Sequence, residues 1–138
     1  MSIYDDSVYQ KPLTGRDSYY VRHFYDASFE PNWHSETELI YLPAGSKPIT
    51  IYVNHQPVCI KERMLYIVES GCLHSGLESE EVPHFLFIEF GFGLLGADYL
   101  SFTEQRFVTP YICFSETDDP RLLETERLLI EIFQSIPM

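Results

Sequence analysis

Short segments rich in β-branched and aromatic residues recur along the first ninety residues, with turn residues between them. Their spacing of roughly ten residues is typical of antiparallel sandwiches and small barrels. No helical segments alternate with them, which argues against a parallel sheet built from crossover units. We therefore predict a mainly β fold, with strands over 19–25, 38–42, 49–53, 58–61, 64–69 and 84–90.

Turn signals separate these segments. A loop is expected over 26–31, a turn at 43–46, and a tight hairpin turn at 54–57, where Asn, His, Gln and Pro follow one another. The chain also has ten Phe, ten Tyr and one Trp. Rings of this size suit a barrel interior, which they can fill or line.

The C-terminal part has a helical pattern. Asp119 offers an N-cap, Pro120 suits the first helical position, and 121–135 continues as a helix. Apolar residues form a stripe along it, and two interpretations remain open. The stripe packs on the barrel, or it serves as a dimerisation surface made of Leu122, Leu129, Phe133 and Ile136, widened by Leu123, Ile130 and Ile132.

Composition limits the possible functions. The chain has 138 residues, enough for one domain, and a net charge of −12, which repels nucleic acid backbones. We expect no binding of DNA or RNA through this chain. The sequence shows neither a signal peptide nor an apolar run long enough for a membrane span, so a cytoplasmic protein without membrane contact is expected. Three cysteines without a CxxC pair predict free thiols.

Metal-type side chains stand at the ends of two strand-like segments. His34 precedes the second segment, Glu38 begins it, and His74 follows the fifth. Two imidazoles and a carboxylate match the ligand set of open Fe(II) sites. Residues four apart in a straight strand lie about 13 Å apart, so His34 and Glu38 can share a site only if the chain bends between them. The alternative is that both histidines merely bond to backbone groups, with Glu38 an exposed carboxylate.

These residues resemble the two motifs of the cupins, which are small jelly-roll barrels. The first motif, His-x-His, Glu and a later Gly, is matched by Asn32, His34, Glu38 and Gly45. The second, Pro-x-Gly-x-x-His, is matched by Glu69, Gly71 and His74. More narrowly, residues 19–92 resemble the sugar-sensing N-terminal domain of AraC-type transcription regulators, through Trp33, His34, Glu36, Glu38, Leu39 and Tyr41.

The resemblance implies a site within the barrel. Its ligand-binding residues would be Asn32, His34, Glu38 and His74, to which we add Glu89, a carboxylate in a very apolar strand. Asn32 stands where the family has its first histidine, and an amide oxygen is a weak ligand for transition metals. No cofactor is therefore expected. A divalent Fe, Mn, Zn or Ni ion held by His34, Glu38 and His74 is the lesser option.

The resemblance also implies a domain plan and a function. Residues 1–18 would form an N-terminal arm, 19–117 the cupin barrel, and 118–138 a helix that begins a dimerisation or linker region ahead of a DNA-binding domain. The expected function is binding of a small-molecule effector, such as a sugar or small acid, and homodimerisation, without catalysis. The alternatives are a stand-alone metal-dependent cupin enzyme, an oxygenase or isomerase, and a structural barrel with neither ligand nor chemistry.

Overall fold

The computed structural model describes residues 19–24, 29–32, 37–69, 71–76, 85–91 and 108–136. Within them the chain forms nine strands, a short 3₁₀ helix at Phe114–Glu116, and one α-helix, α1, at Pro120–Ser135. The strands are β1 Tyr19–Phe24, β2 Phe29–Asn32, β3 Thr37–Leu42, β4 Ile49–Val53, β5 Gln56–Ile60, β6 Met64–Val68, β7 His74–Gly76, β8 Phe85–Phe90 and β9 Tyr111–Cys113.

Two antiparallel sheets make up the fold. One has the order β1-β8-β3-β6-β9 and the other β2-β7-β4-β5. Without β9, the orders are β1-β8-β3-β6 and β2-β7-β4-β5, so strands from the first and second half of the series alternate in each sheet. This is the strand order of a jelly roll. The prediction of a mainly β, antiparallel jelly roll with a C-terminal helix is confirmed.

The alternation along each strand creates two apolar cores. In β3, Ile40 and Leu42 point between the sheets, where they join Ile51, Ile60 and other residues in an inner core. Tyr41 points to the other face of the same sheet. There it meets Phe114 and Leu129 in an outer core between the sheet and α1. Successive side chains of a strand point to opposite faces of the sheet, so β3 contributes alternate residues to the inner and the outer core.

Helix α1 begins as predicted. Asp119 is its N-cap and accepts a hydrogen bond from the Arg121 backbone nitrogen at 2.9 Å, with Pro120 at the first position. Arg127 pairs across one turn with Glu124 and, at 2.9 Å, with Glu131. These pairs lie on the exposed side of the helix.

The four residues assigned to dimerisation lie on the inner side of α1. Leu129 is buried against the barrel, and the others pack partly buried around it: Leu122, Phe133 and Ile136. The sheet therefore covers the stripe, because its apolar outer face needs burial as much as the helix does. Dimerisation stays a prediction. The apolar side chains left outward are another set, with 36–48% exposure: Leu123, Leu128, Ile130 and Ile132.

Three strands differ from the sequence expectation. The predicted loop over 26–31 contains part of β2, in which Pro31 is accommodated because β2 lies at the end of its sheet and its register shifts between Phe29 and Asn32. Strands β7 and β9 have three residues each. Segments so short show no measurable alternation, so they carried no signal.

Some expectations fall outside the described residues. These are the arm over 1–18, the segment 33–36 that contains Trp33 and His34, and the residues between 92 and 107. In the part that the structure describes, no helix has the length and apolar character needed to cross a bilayer.

Candidate functional site

Glu38 and His74 meet between the two sheets. Glu38 lies on β3 of the larger sheet and points inward, like Ile40 and Leu42. His74 begins β7 of the smaller sheet. The distance from His74 Nε2 to Glu38 Oε1 is 3.4 Å, and the two side chains are only 2% and 3% exposed. The structure thus excludes the alternative of an exposed Glu38.

The His74 ring is held in one orientation. Its Nδ1 lies 2.9 Å from the backbone carbonyl oxygen of Cys72. A carbonyl oxygen only accepts hydrogen bonds, so Nδ1 carries the proton and donates it. In the neutral ring Nε2 then has a lone pair, which faces Glu38. This is the arrangement by which proteins aim a histidine at a ligand or metal.

The contact between Nε2 and Oε1 has a chemical consequence. A separation of 3.4 Å is longer than an ordinary hydrogen bond. A neutral imidazole nitrogen and a carboxylate oxygen are both acceptors. A proton, a cation or a donor group of a ligand is needed to make their approach favourable.

Glu89 brings a second carboxyl group to the same place. It lies on β8, directly opposite Glu38 in the register of the sheet, and it is 3% exposed. It alternates with Phe85 and Phe87, both of which belong to the inner core, so it lies on the inner face of the strand. Side chains opposite each other on neighbouring strands have Cβ atoms about 4.5–5.5 Å apart. The interior thus holds two carboxyl groups and an imidazole near one another.

Asn32 and His34 complete the predicted set only in part. The Asn32 backbone is the register partner of His74 in the pairing of β2 with β7, which brings Asn32 to this end of the barrel. His34 lies outside the described residues. His55 lies in the hairpin turn and is exposed.

The donors of this site fit a metal ion only in part. The 3.4 Å separation is close to the spacing of two ligands on a tetrahedral ion with bonds of about 2.0–2.2 Å. However, no group of three His, Cys, Asp or Glu side chains within the described residues has metal-binding geometry. Glu38 and His74 supply two donors, whereas catalytic zinc sites use three protein ligands.

A second polar cluster joins the barrel to α1. Glu126 on the helix is 6% exposed. Its carboxylate accepts hydrogen bonds from Arg63 Nε at 3.0 Å, Arg63 Nη2 at 2.8 Å and the Tyr41 hydroxyl at 2.8 Å. We call Tyr41, Arg63 and Glu126 the helix clasp. Hydrogen bonds from Arg63 lower the pKa of the Glu126 carboxyl, and burial together with Glu126 raises the pKa of Tyr41.

The helix clasp was missed in the sequence, although one signal was present. Glu126 occupies a position of the apolar stripe, between Leu122 and Leu129. A carboxylate in such a stripe must find a partner or remain unburied. Its partner Arg63 is 63 residues away in the chain, so the sequence gives no indication of which basic residue it meets.

Strand β3 connects the two polar clusters. Glu38 points into the barrel and Tyr41, three residues later, points out toward α1. Arg63 is fixed by its backbone as well, because its nitrogen donates to Leu42 at the end of β3 and its oxygen accepts from Phe114. A displacement of β3 would therefore also move Tyr41 and Arg63, which bind Glu126 on α1.

A groove opens on the side of the barrel where β5 and β9 end their sheets. Its volume is about 610 Å³. None of the predicted site residues lines it. Its lining comes from β5, β6, β9 and the segments that follow them: Pro57, Val58, Cys59, Lys61, Glu62, Met64, Tyr66, Pro110, Tyr111, Cys113, Ser115 and Glu116.

Comparison with solved structures finds similarity to oxalate decarboxylase from Bacillus subtilis. A tryptophan-to-tyrosine variant of that enzyme is 18% identical with a TM-score of 0.35, over 88% of this chain and 29% of that one. The enzyme at pH 4.6 is 17% identical with a TM-score of 0.37, over 88% and 36%. A third structure, concerned with the Mn(II) centres of the enzyme, is 20% identical with a TM-score of 0.37, over 88% and 36%.

The chain spans about a third of the length of the oxalate decarboxylase structures it matches. No protein-family model and no curated protein matches the sequence. The strand order itself is that of a jelly roll. This is the fold that the resemblance to the cupins implies.

Proposed function

We propose that this chain is the small-molecule-binding domain of an AraC-type transcription regulator. The observation that supports the proposal most is the buried pair of His74 Nε2 and Glu38 Oε1, 3.4 Å apart. In this proposal, the pair and the neighbouring Glu89 bind a ligand that supplies hydrogen-bond donors or positive charge.

The chemistry of the site favours a polar ligand with several hydrogen-bond donors. The carboxylates of Glu38 and Glu89 accept hydrogen bonds, and the inner core supplies apolar side chains such as Phe85 and Phe87. A sugar fits this description, because its hydroxyl groups donate to carboxylates and its carbon skeleton packs against aromatic rings. A small acid would need a proton on the acid or on one of the two Glu side chains.

The proposed response is a shift between two arrangements of helix α1. A ligand at Glu38 that binds one position of β3 more tightly would favour one state of the helix clasp, by no more than its difference in affinity for the two. The helix would transmit this to a partner subunit and to a DNA-binding region. The charge of −12 suits a domain that leaves DNA binding to another part of the protein.

A thermal-shift screen tests the ligand site. The wild-type chain and Glu38→Gln are screened against sugars, amines and carboxylic acids, with Glu131→Gln as a matched control on the exposed face of α1. We expect at least one compound to raise the midpoint of the wild type and of the control but not of Glu38→Gln. Equal stabilisation of all three proteins would contradict the assignment.

The parent gene tests the regulator assignment. The proposal requires the reading frame to continue beyond Met138 into a basic helix-turn-helix region. A reading frame that stops at Met138 would exclude it. In the parent protein, Glu38→Gln should abolish the transcriptional response to the compound while leaving DNA binding intact.

The metal-dependent enzyme is the second candidate, and the 3.4 Å spacing of His74 Nε2 and Glu38 Oε1 is the observation in its favour. A bound divalent ion would supply a Lewis acid at the site. Elemental analysis of protein purified without a histidine tag separates the two candidates. A transition metal at one equivalent, lost in His74→Gln, would favour the enzyme.

A further inference from the structure

We infer that Asn54, which lies outside both cupin motifs, is a positioning residue that sets the orientation and tautomer of His74. The inference deepens the proposed function and rests on His74 being part of the ligand site. Asn54 lies in the hairpin turn between β4 and β5, next to the loop that leads into β7.

The conformation of Asn54 makes the contact possible. Its φ of 49° lies in the left-handed region, where Asn is among the few residues tolerated besides glycine. His55 follows with a φ of 67°, as a two-residue hairpin turn of this kind requires. The tight turn carries the Asn54 side chain over the loop that precedes His74.

Asn54 binds both backbone groups of Leu73. Its own backbone nitrogen donates to the Leu73 oxygen at 2.7 Å. Its side-chain Oδ1 accepts from the Leu73 nitrogen at 3.2 Å. The same amide also approaches Cys72, with Nδ2 3.8 Å from the sulfur.

The peptide group between Cys72 and Leu73 passes this restraint to His74. In a planar trans peptide the N–H and the C=O point in opposite directions. The Leu73 N–H end is held by Asn54 Oδ1, and the Cys72 C=O end receives the proton of His74 Nδ1 at 2.9 Å. Asn54 thus fixes the plane of the peptide group, and the peptide group fixes the imidazole.

The orientation of the His74 ring also determines where Nε2, its other nitrogen, points. As long as the Cys72 carbonyl accepts a hydrogen bond from Nδ1, Nε2 faces Glu38. If the peptide group were free to rotate, the ring could turn or exchange its tautomer. Nε2 would then no longer be held toward Glu38.

Ring ¹⁵N spectra of the whole chain test this without any ligand. We compare the wild type with Asn54→Gly, which permits the left-handed turn but has no Oδ1, and with Asn54→Asp, which restores that acceptor. His55→Gly is the matched control in the same turn, and His74→Gln assigns the His74 signals. In Asn54→Gly we expect mixed tautomers and exchange of the Nδ1 proton on the order of tenfold faster.

Restoration of the wild-type spectrum by Asn54→Asp, with His55→Gly unchanged, would support the inference. An unaltered tautomer in Asn54→Gly, or no restoration by Asn54→Asp, would overturn it. Hydrogen exchange of the wild type adds a test that needs no variant. The Leu73 amide must be protected as strongly as the amides of β7, and rapid exchange there would also overturn the inference.

None of these measurements involves a ligand, so they separate this inference from the proposed function. A changed tautomer in Asn54→Gly together with a negative compound screen would leave Asn54 as a positioning residue and remove the ligand assignment. A positive compound screen with an unchanged tautomer in Asn54→Gly would support the ligand assignment and exclude Asn54 as a positioning residue.

Discussion

At the scale of single residues, the two polar clusters of this domain illustrate different solutions for a buried carboxylate. Glu126 accepts three hydrogen bonds, from Arg63 and Tyr41, and so keeps its charge. Glu38 instead lies 3.4 Å from His74 Nε2 and opposite another carboxyl group. The first cluster joins the sheet to α1, whereas the second lies between the two sheets, where the proposed ligand would bind.

Removal of the Tyr41 hydroxyl should weaken the helix clasp. The hydroxyl is buried and donates to a charged acceptor at 2.8 Å. Tyr41→Phe should therefore lower the free energy of unfolding by about 1.5–3 kcal/mol, as measured by urea denaturation. Tyr111→Phe is the control, because Tyr111 is 45% exposed, and its change should stay within about 0.5 kcal/mol. Equal effects would show that the hydroxyl of Tyr41 contributes nothing specific.

The helix clasp should also make stability depend on acid. Since hydrogen bonds from Arg63 lower the pKa of Glu126 in the folded state, its stabilisation is complete above the unfolded pKa of about 4.3. It is lost as the pH falls through the lower, folded value. Glu126→Gln should thus be less stable than wild type at pH 7, with a difference that shrinks below about pH 4.3. A difference that is the same at pH 7 and pH 3 would contradict this.

The residue patterns of the sequence predicted only part of these buried polar contacts. They identified Glu38, His74 and Glu89, because a carboxylate or imidazole at the end of or within an apolar strand is conspicuous. The alternative that His74 bonds to a backbone group is confirmed by its contact with the Cys72 carbonyl, but the sequence did not show which carbonyl it would meet. Contacts of that kind depend on the path of the loop, which the residue types alone do not determine.

At the scale of elements, α1 shows how one apolar stripe admits two interpretations. The sequence alone could not decide between a barrel and a partner as its cover, because both bury the same side chains. The structure packs Leu129 against Tyr41 and Phe114 of the outer core. The sheet face below it is as apolar as the helix stripe, and burial of both surfaces together is favourable.

A matched pair of neighbouring leucines tests this docking. Leu129 is 6% exposed and Leu128 is 48% exposed. Leu129→Ala should lower the free energy of unfolding by about 2–5 kcal/mol because it leaves a cavity in the outer core. Measured at a protein concentration at which the chain is monomeric, Leu128→Ala should change it by no more than about 0.5 kcal/mol, because the barrel does not cover this side chain. Similar losses in thermal or urea denaturation would mean that α1 does not pack as described.

Longer strands were predicted more accurately than shorter ones. The longer strands, such as β3, β4 and β8, were predicted to within a residue or two because their apolar and turn residues are clear. Strand β2 was missed because Pro31 argues against a strand except at the end of a sheet. Strand β2 lies at the edge of its sheet because of the topology of the whole fold, which local sequence patterns do not predict.

At the scale of the whole molecule, the jelly roll places the proposed ligand site and the helix on opposite faces of one sheet. Glu38 lies inside and Tyr41 outside on the same strand. In the regulator proposal, a small molecule bound inside the barrel would act through β3 on the helix at its outer face. The regulator proposal relies on this proximity, and on the separation of an acidic sensing domain from the DNA-binding part of the protein.

Dimerisation in that proposal has to use the outward side of α1. Leu128 and Ile132, four residues apart, remain 48% and 36% exposed. We expect a homodimer that the double substitution Leu128→Glu with Ile132→Glu converts to a monomer in sedimentation experiments, because charge on both sides of a twofold interface repels. The thermal midpoint of the monomer should remain close to that of the wild type. A dimer that persists in the double variant would exclude this face.

The most direct test of the ligand site is a crystal structure grown with a compound that stabilises the wild type but not Glu38→Gln. A ligand pocket in the barrel predicts density for the compound between the sheets, in contact with Glu38 and with His74 Nε2. Density elsewhere, for example in the groove of about 610 Å³ between β5 and β9, with Glu38 and His74 left in their present contact, would contradict it.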